Sequence, residues 1–340
     1  MTSHSLYLHI PFCRSKCPYC DFYSLRCDGS KQQEYIERCI EILRARNETW
    51  RTAYIGGGTP SVLEPDLLAR LLAAIKCEGE FTIECNPTSV TPEFCNAIAR
   101  GGINRVSMGV QSASSSERKA LGRAGDIEIV KQAIAMLPIE NLSLDVMLGL
   151  PGQTIESLTR TLEFCAKHAR HISAYLLKIE PGTPFAENSP ENLPDEDAQA
   201  ELYLFACDWL ERHGFAQYEI SNFAQPGFES RHNLNYWRCG EYEAIGPAAH
   251  GFTQGRRWYY PRDLSAFLQG AATVDDGPGG DFEEKAMLAL RLNEGFDGAT
   301  ERMLEQAKQL PGLAEANNSC IKLTREGFLL SNAVIGKILS

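Results

Sequence analysis

Residues 5–10 alternate, with Leu6, Leu8 and Ile10 on one face and Tyr7 and His9 on the other, which predicts a strand. Short apolar or alternating runs at 52–55, 80–85, 103–108, 142–148 and 172–178 predict further strands. Between them lie helical stretches at 31–46, 64–76, 91–100, 125–137 and 154–168, two of which open on the cap signals Thr91-Pro92-Glu93 and Thr154-Ile155-Glu156. Strand and helix alternate through the first half of the chain, the order of an α/β fold with a parallel sheet. Six such units fall short of the eight that close a barrel. Right-handed crossovers would curl them into a partial (β/α)6, TIM-like barrel whose open side could admit a large substrate.

The rhythm changes near residue 186. The Pro- and acid-rich run Asn188-Ser189-Pro190-Glu191-Asn192-Leu193-Pro194-Asp195 leads to a helix with Leu202, Phe205, Cys207, Trp209 and Leu210 largely on one side. Asp275-Asp276-Gly277-Pro278-Gly279-Gly280 reads as a linker. Helical segments follow it, and Ile321 to Leu330 reads as two short strands around a turn before a final helix. That order suits a small α+β, winged-helix-like module. The expected division is a barrel core over 1–186, a flanking segment over 187–274 and a C-terminal helical, winged-helix-like domain over 275–340.

A chain of 340 residues can hold such a core plus a smaller domain. Its 44% hydrophobic and 23% charged residues are ordinary for a soluble globular protein. The net charge of −11 argues against a nucleic-acid partner, because neutralising phosphates requires a basic surface. Met1 to His4 run straight into the first strand without a basic segment followed by an apolar stretch, and no apolar run reaches spanning length. A cytoplasmic setting with reduced thiols is the expectation, and the scatter of the 12 cysteines argues against a disulfide framework.

The chemistry concentrates behind the first strand, in Pro11-Phe12-Cys13-Arg14-Ser15-Lys16-Cys17-Pro18-Tyr19-Cys20-Asp21-Phe22. Pro11 and Pro18 make this a loop. Three thiolates on one loop can hold three corners of a four-iron cluster and leave the fourth iron open. A zinc site with a distant fourth ligand is the alternative, although structural zinc spacings usually come as paired short motifs and no second pair is present. Gly56-Gly57-Gly58-Thr59-Pro60 follows the second strand, where glycines let backbone approach a ligand and expose amides to a carboxylate; a tight turn is the plainer reading. Other strand ends carry Glu84, Asn86, Gln111, Ser112 and Asp145, with Arg123 nearby. A carboxylate can bind ribose hydroxyls and an arginine an amino-acid carboxylate.

The Cys-x3-Cys-x2-Cys loop after a first barrel strand resembles that of the radical S-adenosylmethionine (SAM) superfamily. Within it the chain is similar to the anaerobic coproporphyrinogen oxidase group over nearly its whole length. The similarity runs through Tyr7-Leu8-His9-Ile10-Pro11-Phe12-Cys13, Gly56-Gly57-Gly58-Thr59-Pro60-Ser61, Asn104-Arg105-Val106-Ser107-Met108-Gly109-Val110-Gln111-Ser112 and Asp145-Val146-Met147-Leu148-Gly149-Leu150-Pro151-Gly152-Gln153-Thr154. The resemblance implies a 4Fe-4S cluster on Cys13, Cys17 and Cys20, with SAM chelating the open iron and an electron cleaving its sulfonium to a 5′-deoxyadenosyl radical. It implies SAM contacts at Tyr7, Tyr19, Gly57, Gly58, Thr59, Glu84, Gln111, Arg123 and Asp145, and an electron donor such as flavodoxin or ferredoxin.

Two departures from the oxidase pattern resemble HemW-type heme chaperones. Phe22 stands where the oxidase has a fourth cysteine, and the oxidase's long N-terminal extension is not seen ahead of the first strand. Ser230-Arg231-His232-Asn233-Leu234-Asn235-Tyr236-Trp237 also resembles that group's His-Asn-x-x-Tyr-Trp signature. The implied function is to bind heme and transfer it to respiratory-chain apoproteins, with transient membrane association, as a monomer or dimer. His232 offers an imidazole for heme iron, and Tyr236 and Trp237 offer flat apolar surface; a capped turn with packed aromatics is equally compatible. Cys239 and His250 are further candidate ligands. Oxygen-independent coproporphyrinogen III oxidation and a zinc-stabilised binding protein stand as alternative readings.

Overall fold

The six strands anticipated in the first half form and run parallel. They are β1 (Ser5–Ile10), β2 (Thr49–Gly57), β3 (Lys76–Cys85), β4 (Arg105–Gln111), β5 (Leu142–Leu148) and β6 (His171–Leu176), hydrogen-bonded in that order. The computed structural model describes residues 4–26 and 28–340, so the expected lead-in over Met1 to Ser3 lies outside the described residues. The crossovers carry α1 (Gly29–Arg46), α2 (Pro65–Ala73), α3 (Pro92–Arg100), α4 (Ser115–Ala120), α5 (Ile127–Met136) and α6 (Ile155–His168).

Register places Leu8, Ile55, Ile83, Val106 and Leu142 side by side across the sheet, none more than 3% exposed. Ile36, Leu68, Ile98, Val130 and Leu158 from the helices complete this core. Because side chains alternate along a strand, the intervening positions Tyr54, Glu84, Arg105, Ser107, Asp145 and Tyr175 point the other way, into a cavity inside the curved sheet. Both anticipated caps are present. Thr91 accepts from the Phe94 amide at 3.2 Å, and Thr154 and Ser157 form a reciprocal capping box.

The second half returns to the same sheet at both edges. After α7 (Pro184–Glu187) and α8 (Glu196–Arg212), β7 (Ala216–Glu219) and β8 (Asn222–Ala224) form a hairpin, and β8 pairs antiparallel with β6. Helix α9 (Arg231–Trp237) then leads across to β9 (Tyr242–Ile245), a seventh parallel strand on the far side of β1. Antiparallel strands β10 (His250–Thr253), β11 (Arg256–Tyr259) and β12 (Val274–Pro278) extend that edge, with α10 (Leu264–Leu268) between the last two. The order is β12-β11-β10-β9-β1-β2-β3-β4-β5-β6-β8-β7, and the barrel stays open.

Two expectations need correction. The Gly-rich stretch from Asp275 is not a free linker, because Val274–Pro278 pairs with β11 as an edge strand. Residues 321–330 are not two strands. The C-terminal sheet is β13 (Phe296–Asp297), β14 (Ala314–Asn317) and β15 (Cys320–Leu323), in the order β13-β15-β14, and Thr324 caps a following helix by accepting from the Gly327 amide at 3.0 Å. Helices α11 (Phe282–Ala289), α12 (Glu301–Lys308), α13 (Arg325–Leu329) and α14 (Ser331–Leu339) complete this α+β module. Among the described residues, no helix is long and apolar enough to cross a membrane.

Candidate functional site

The cysteine loop is fastened at both ends. Phe12–Cys13 pairs with Leu25–Arg26, the Leu25 amide donates to the Pro11 carbonyl at 2.7 Å, and the Cys20 amide closes a turn on the Cys17 carbonyl at 3.1 Å. The glycine segment is fastened to it in turn, through the Gly58 amide to the Ile10 carbonyl at 2.7 Å and the Thr59 amide to the Phe12 carbonyl at 2.8 Å. A Cβ on Gly58 would lie 2.7 Å from both of those carbonyl oxygens, and one on Gly57, at φ +105°, would lie 2.4 Å from the His9 ring. Gly58 is therefore required by packing against the start of the cysteine loop, and Gly57 by packing against His9 of β1.

Cys13, Cys17 and Cys20 are half-buried free thiols lining a cavity of about 320 Å³ at the carboxyl ends of the parallel strands. Among the described residues, no three His, Cys, Asp or Glu groups converge as a single ion would require. A cubane instead spreads its thiolates over separate irons. Burial raises the pKa of Cys13 and Cys20, so both are protonated at neutral pH and must release protons to bind metal.

Tyr19, Gly57, Gly58, Thr59, Glu84, Gln111, Arg123 and Asp145 all line this cavity. Glu84 accepts from the Tyr54 hydroxyl at 2.7 Å and the Gly57 amide at 3.1 Å, and burial lifts its pKa to about 7. Asp145 accepts from Ser107 at 3.0 Å and is also raised by burial. Burial works against the Arg123 charge, but Tyr19, Cys17, Tyr175 and Asp145 outweigh it and raise the pKa. Gln111, at φ +69° beside a register shift in β4, accepts from the Tyr175 hydroxyl at 3.2 Å. Ser112 turns away to bond Glu117, whereas Asn86 lines the cavity and caps the turn at Pro87. Tyr7 is the exception among the proposed SAM contacts. It lines a neighbouring cavity, where its hydroxyl lies 3.0 Å from His9 Nδ1.

Arg105 was not foreseen as a site residue. It is 2% exposed and lines the cavity with its Nε unpartnered. The available signal was its spacing two residues before Ser107, opposite Val106 and Met108, which puts both on the inner face. An orphaned buried guanidinium nitrogen, two half-buried carboxylates and three thiols fit an anionic, hydroxyl-bearing ligand beside a thiolate-held cluster.

Residues 7–165 match the Radical SAM superfamily. The chain is also 35% identical over 368 residues to the heme chaperone HemW of Lactococcus lactis subsp. lactis (strain IL1403), covering 99% of this chain and 97% of that protein. The chain belongs to the HemW family. It is 32% identical to HemW of Bacillus subtilis (strain 168), over 98% and 99% of the two chains. The solved coproporphyrinogen III oxidase HemN of Escherichia coli shares the fold, with TM-score 0.84 and 20% identity over 99% of this chain and 91% of that one. Membership of the radical SAM superfamily implies a 4Fe-4S cluster and SAM.

In this HemW-family chain His232 is a buried joint. Its Nδ1 lies 2.8 Å from Thr52 Oγ1, its Nε2 lies 2.7 Å from the Tyr236 hydroxyl, and its ring stacks on Tyr54 at 5.3 Å. Burial lowers its pKa to about 3. Both ring nitrogens are occupied and the side chain is 0% exposed. Glu80 fixes the same helix end by accepting from Ser230 Oγ at 3.2 Å and from the Arg231 and His232 amides at 2.9 and 3.0 Å. Helix α9 thus divides two cavities, with Asn233 lining the cluster side and Tyr236 the other. Trp237 lines neither, and the Arg291 guanidinium lies 5.9 Å from its ring centroid.

Proposed function

We propose that the chain is a heme chaperone that holds a 4Fe-4S cluster on Cys13, Cys17 and Cys20, binds SAM in the adjoining cavity, and passes heme to apoproteins of the respiratory chain. The near full-length identity to heme chaperones carries this reading. In it, Arg123 and Arg105 hold the ligand's carboxylate, Glu84 and Asp145 accept from its hydroxyls and ammonium group, and burial keeps water from the exchange. When bound, the cluster supplies an electron and SAM a cleavable sulfonium. A flavodoxin- or ferredoxin-type donor and a transient encounter with the membrane belong to the same proposal, as does a cytoplasmic setting.

Protein reconstituted and handled without oxygen is expected to contain about four irons per chain and to take up added heme in an optical titration. Failure to take up heme, together with none retained on expression in heme-sufficient cells, would remove the chaperone role. The oxidase reading has the shared fold in its favour and is tested by rescue of an anaerobic strain lacking its only such oxidase.

A further inference from the structure

A second cavity, of about 560 Å³, opens on the other side of α9. Its size falls within the roughly 300–1,000 Å³ of sites that enclose most of a small-molecule ligand. Tyr7, Phe22, Tyr23, Tyr236 and Tyr242 give it flat aromatic walls. Such walls suit a planar macrocycle.

Three kinds of iron ligand face this space, histidine, tyrosine and cysteine, and chemistry separates them. His9 is closed, with Nδ1 held by the Tyr7 hydroxyl at 3.0 Å and Nε2 by the Tyr23 carbonyl at 2.8 Å. Burial raises the pKa of Tyr7, Tyr23, Tyr236 and Tyr242, so the phenols are not phenolates at neutral pH. Burial likewise raises the pKa of the Cys239 thiol, which would have to release a proton to bind iron, as Cys13 and Cys20 do. His250 differs from all of these. It stands exposed on β10, stacked on Tyr259 at 5.2 Å, and makes no side-chain hydrogen bond among the described residues beyond a ring contact.

The rim supplies the charge that a porphyrin's carboxylates need. Arg262 is exposed and donates only to the Asp21 carbonyl, at 2.8 Å, with no carboxylate paired to it among the described residues. Arg257 is already bound by Glu284 at 2.6 Å and lies over the Phe252 ring at 4.6 Å, which leaves Arg262 as the available cation. Phe22, 59% exposed, lines both this cavity and the cluster cavity. One side chain is thus a shared wall between them.

We infer that heme sits in this second cavity, with His250 as an axial ligand to its iron, Arg262 on a propionate and Phe22 against the macrocycle. The inference rests on the heme-binding reading above and assigns that reading a place. It gives His232 a different part, holding α9 so that Tyr236 and Cys239 face the cavity.

The test is anaerobic heme titration of the cluster-reconstituted full chain, followed by optical and paramagnetic resonance spectra. His250→Ala is expected to shift the Soret band and weaken binding at least about tenfold, since even outer partners of metal ligands have effects of that size. Added imidazole should restore the spectrum, while iron content and SAM binding stay at wild-type levels. His250→Ala with wild-type affinity and spectrum would overturn the assignment, as would a spectral change confined to Cys239→Ser. Wild-type protein that takes up no heme would instead remove the underlying function, so the two failures are distinct.

Discussion

Glu84 accepts two hydrogen bonds, yet burial and the nearby Asp145 carboxylate lift its pKa to about 7. Hydroxyl and ammonium donors on a ligand favour the ionised form. SAM binding is therefore expected to strengthen as pH rises through about 7, and equilibrium binding between pH 6 and 8 should show Glu84→Gln flattening that dependence. For stability the same shift has the opposite sense. The folded chain holds the proton more tightly than the unfolded one, so this contribution is present below the ordinary glutamate value of 4.5 and is lost as pH rises through about 7. His232 works in the other direction, because its folded pKa of about 3 lies below the ordinary histidine value of 6.5. Its effect is to lower stability as pH falls from 6.5 toward 3, by at most about 1.4 kcal/mol per pH unit. Denaturant melts from pH 4 to 7 should show this acid limb in the wild type and lose it in His232→Gln.

Helix α9 is short, and it is attached through the Glu80 carboxylate, the His232 ring and Asn235, which accepts from Arg51. Glu80→Ala leaves two backbone amides and the Ser230 and Thr82 hydroxyls without this acceptor, and is expected to destabilise the chain by about 1–3 kcal/mol in urea melts. The strands of the barrel were legible because Leu8, Ile55, Ile83 and Val106 alternate with polar residues, and period two has only one extended solution. Short segments were less determinate. The run Phe328-Leu329-Leu330 is too brief to separate strand from helix by periodicity, and the Thr324 cap decides for helix. The Gly-rich run after Val274 carries turn residues, yet it is held as a strand by pairing to β11 across the intervening α10.

At the scale of the whole molecule, the cysteine loop is positioned by strand pairing and the glycine segment, and it contains no disulfide among the described residues. Replacing Cys13, Cys17 and Cys20 together with serine is expected to reduce iron from about four per chain to near none, with the far-ultraviolet dichroism unchanged. Gly58→Ala is expected to lower both iron content and melting temperature, because its methyl would meet the Ile10 and Phe12 carbonyls that anchor the loop. The sequence by itself determined the parallel strands, the cysteine triplet and its polar neighbours, since alternation and ligand spacing are local properties of the chain. Only the tertiary structure decided that residues 216–278 rejoin both edges of the sheet, that His232 is a joint, and that α9 parts the cluster cavity from the one Tyr7 lines. Those outcomes depend on contacts between residues far apart in the chain, where burial and hydrogen-bond partners are set by packing and leave no periodic mark in the sequence.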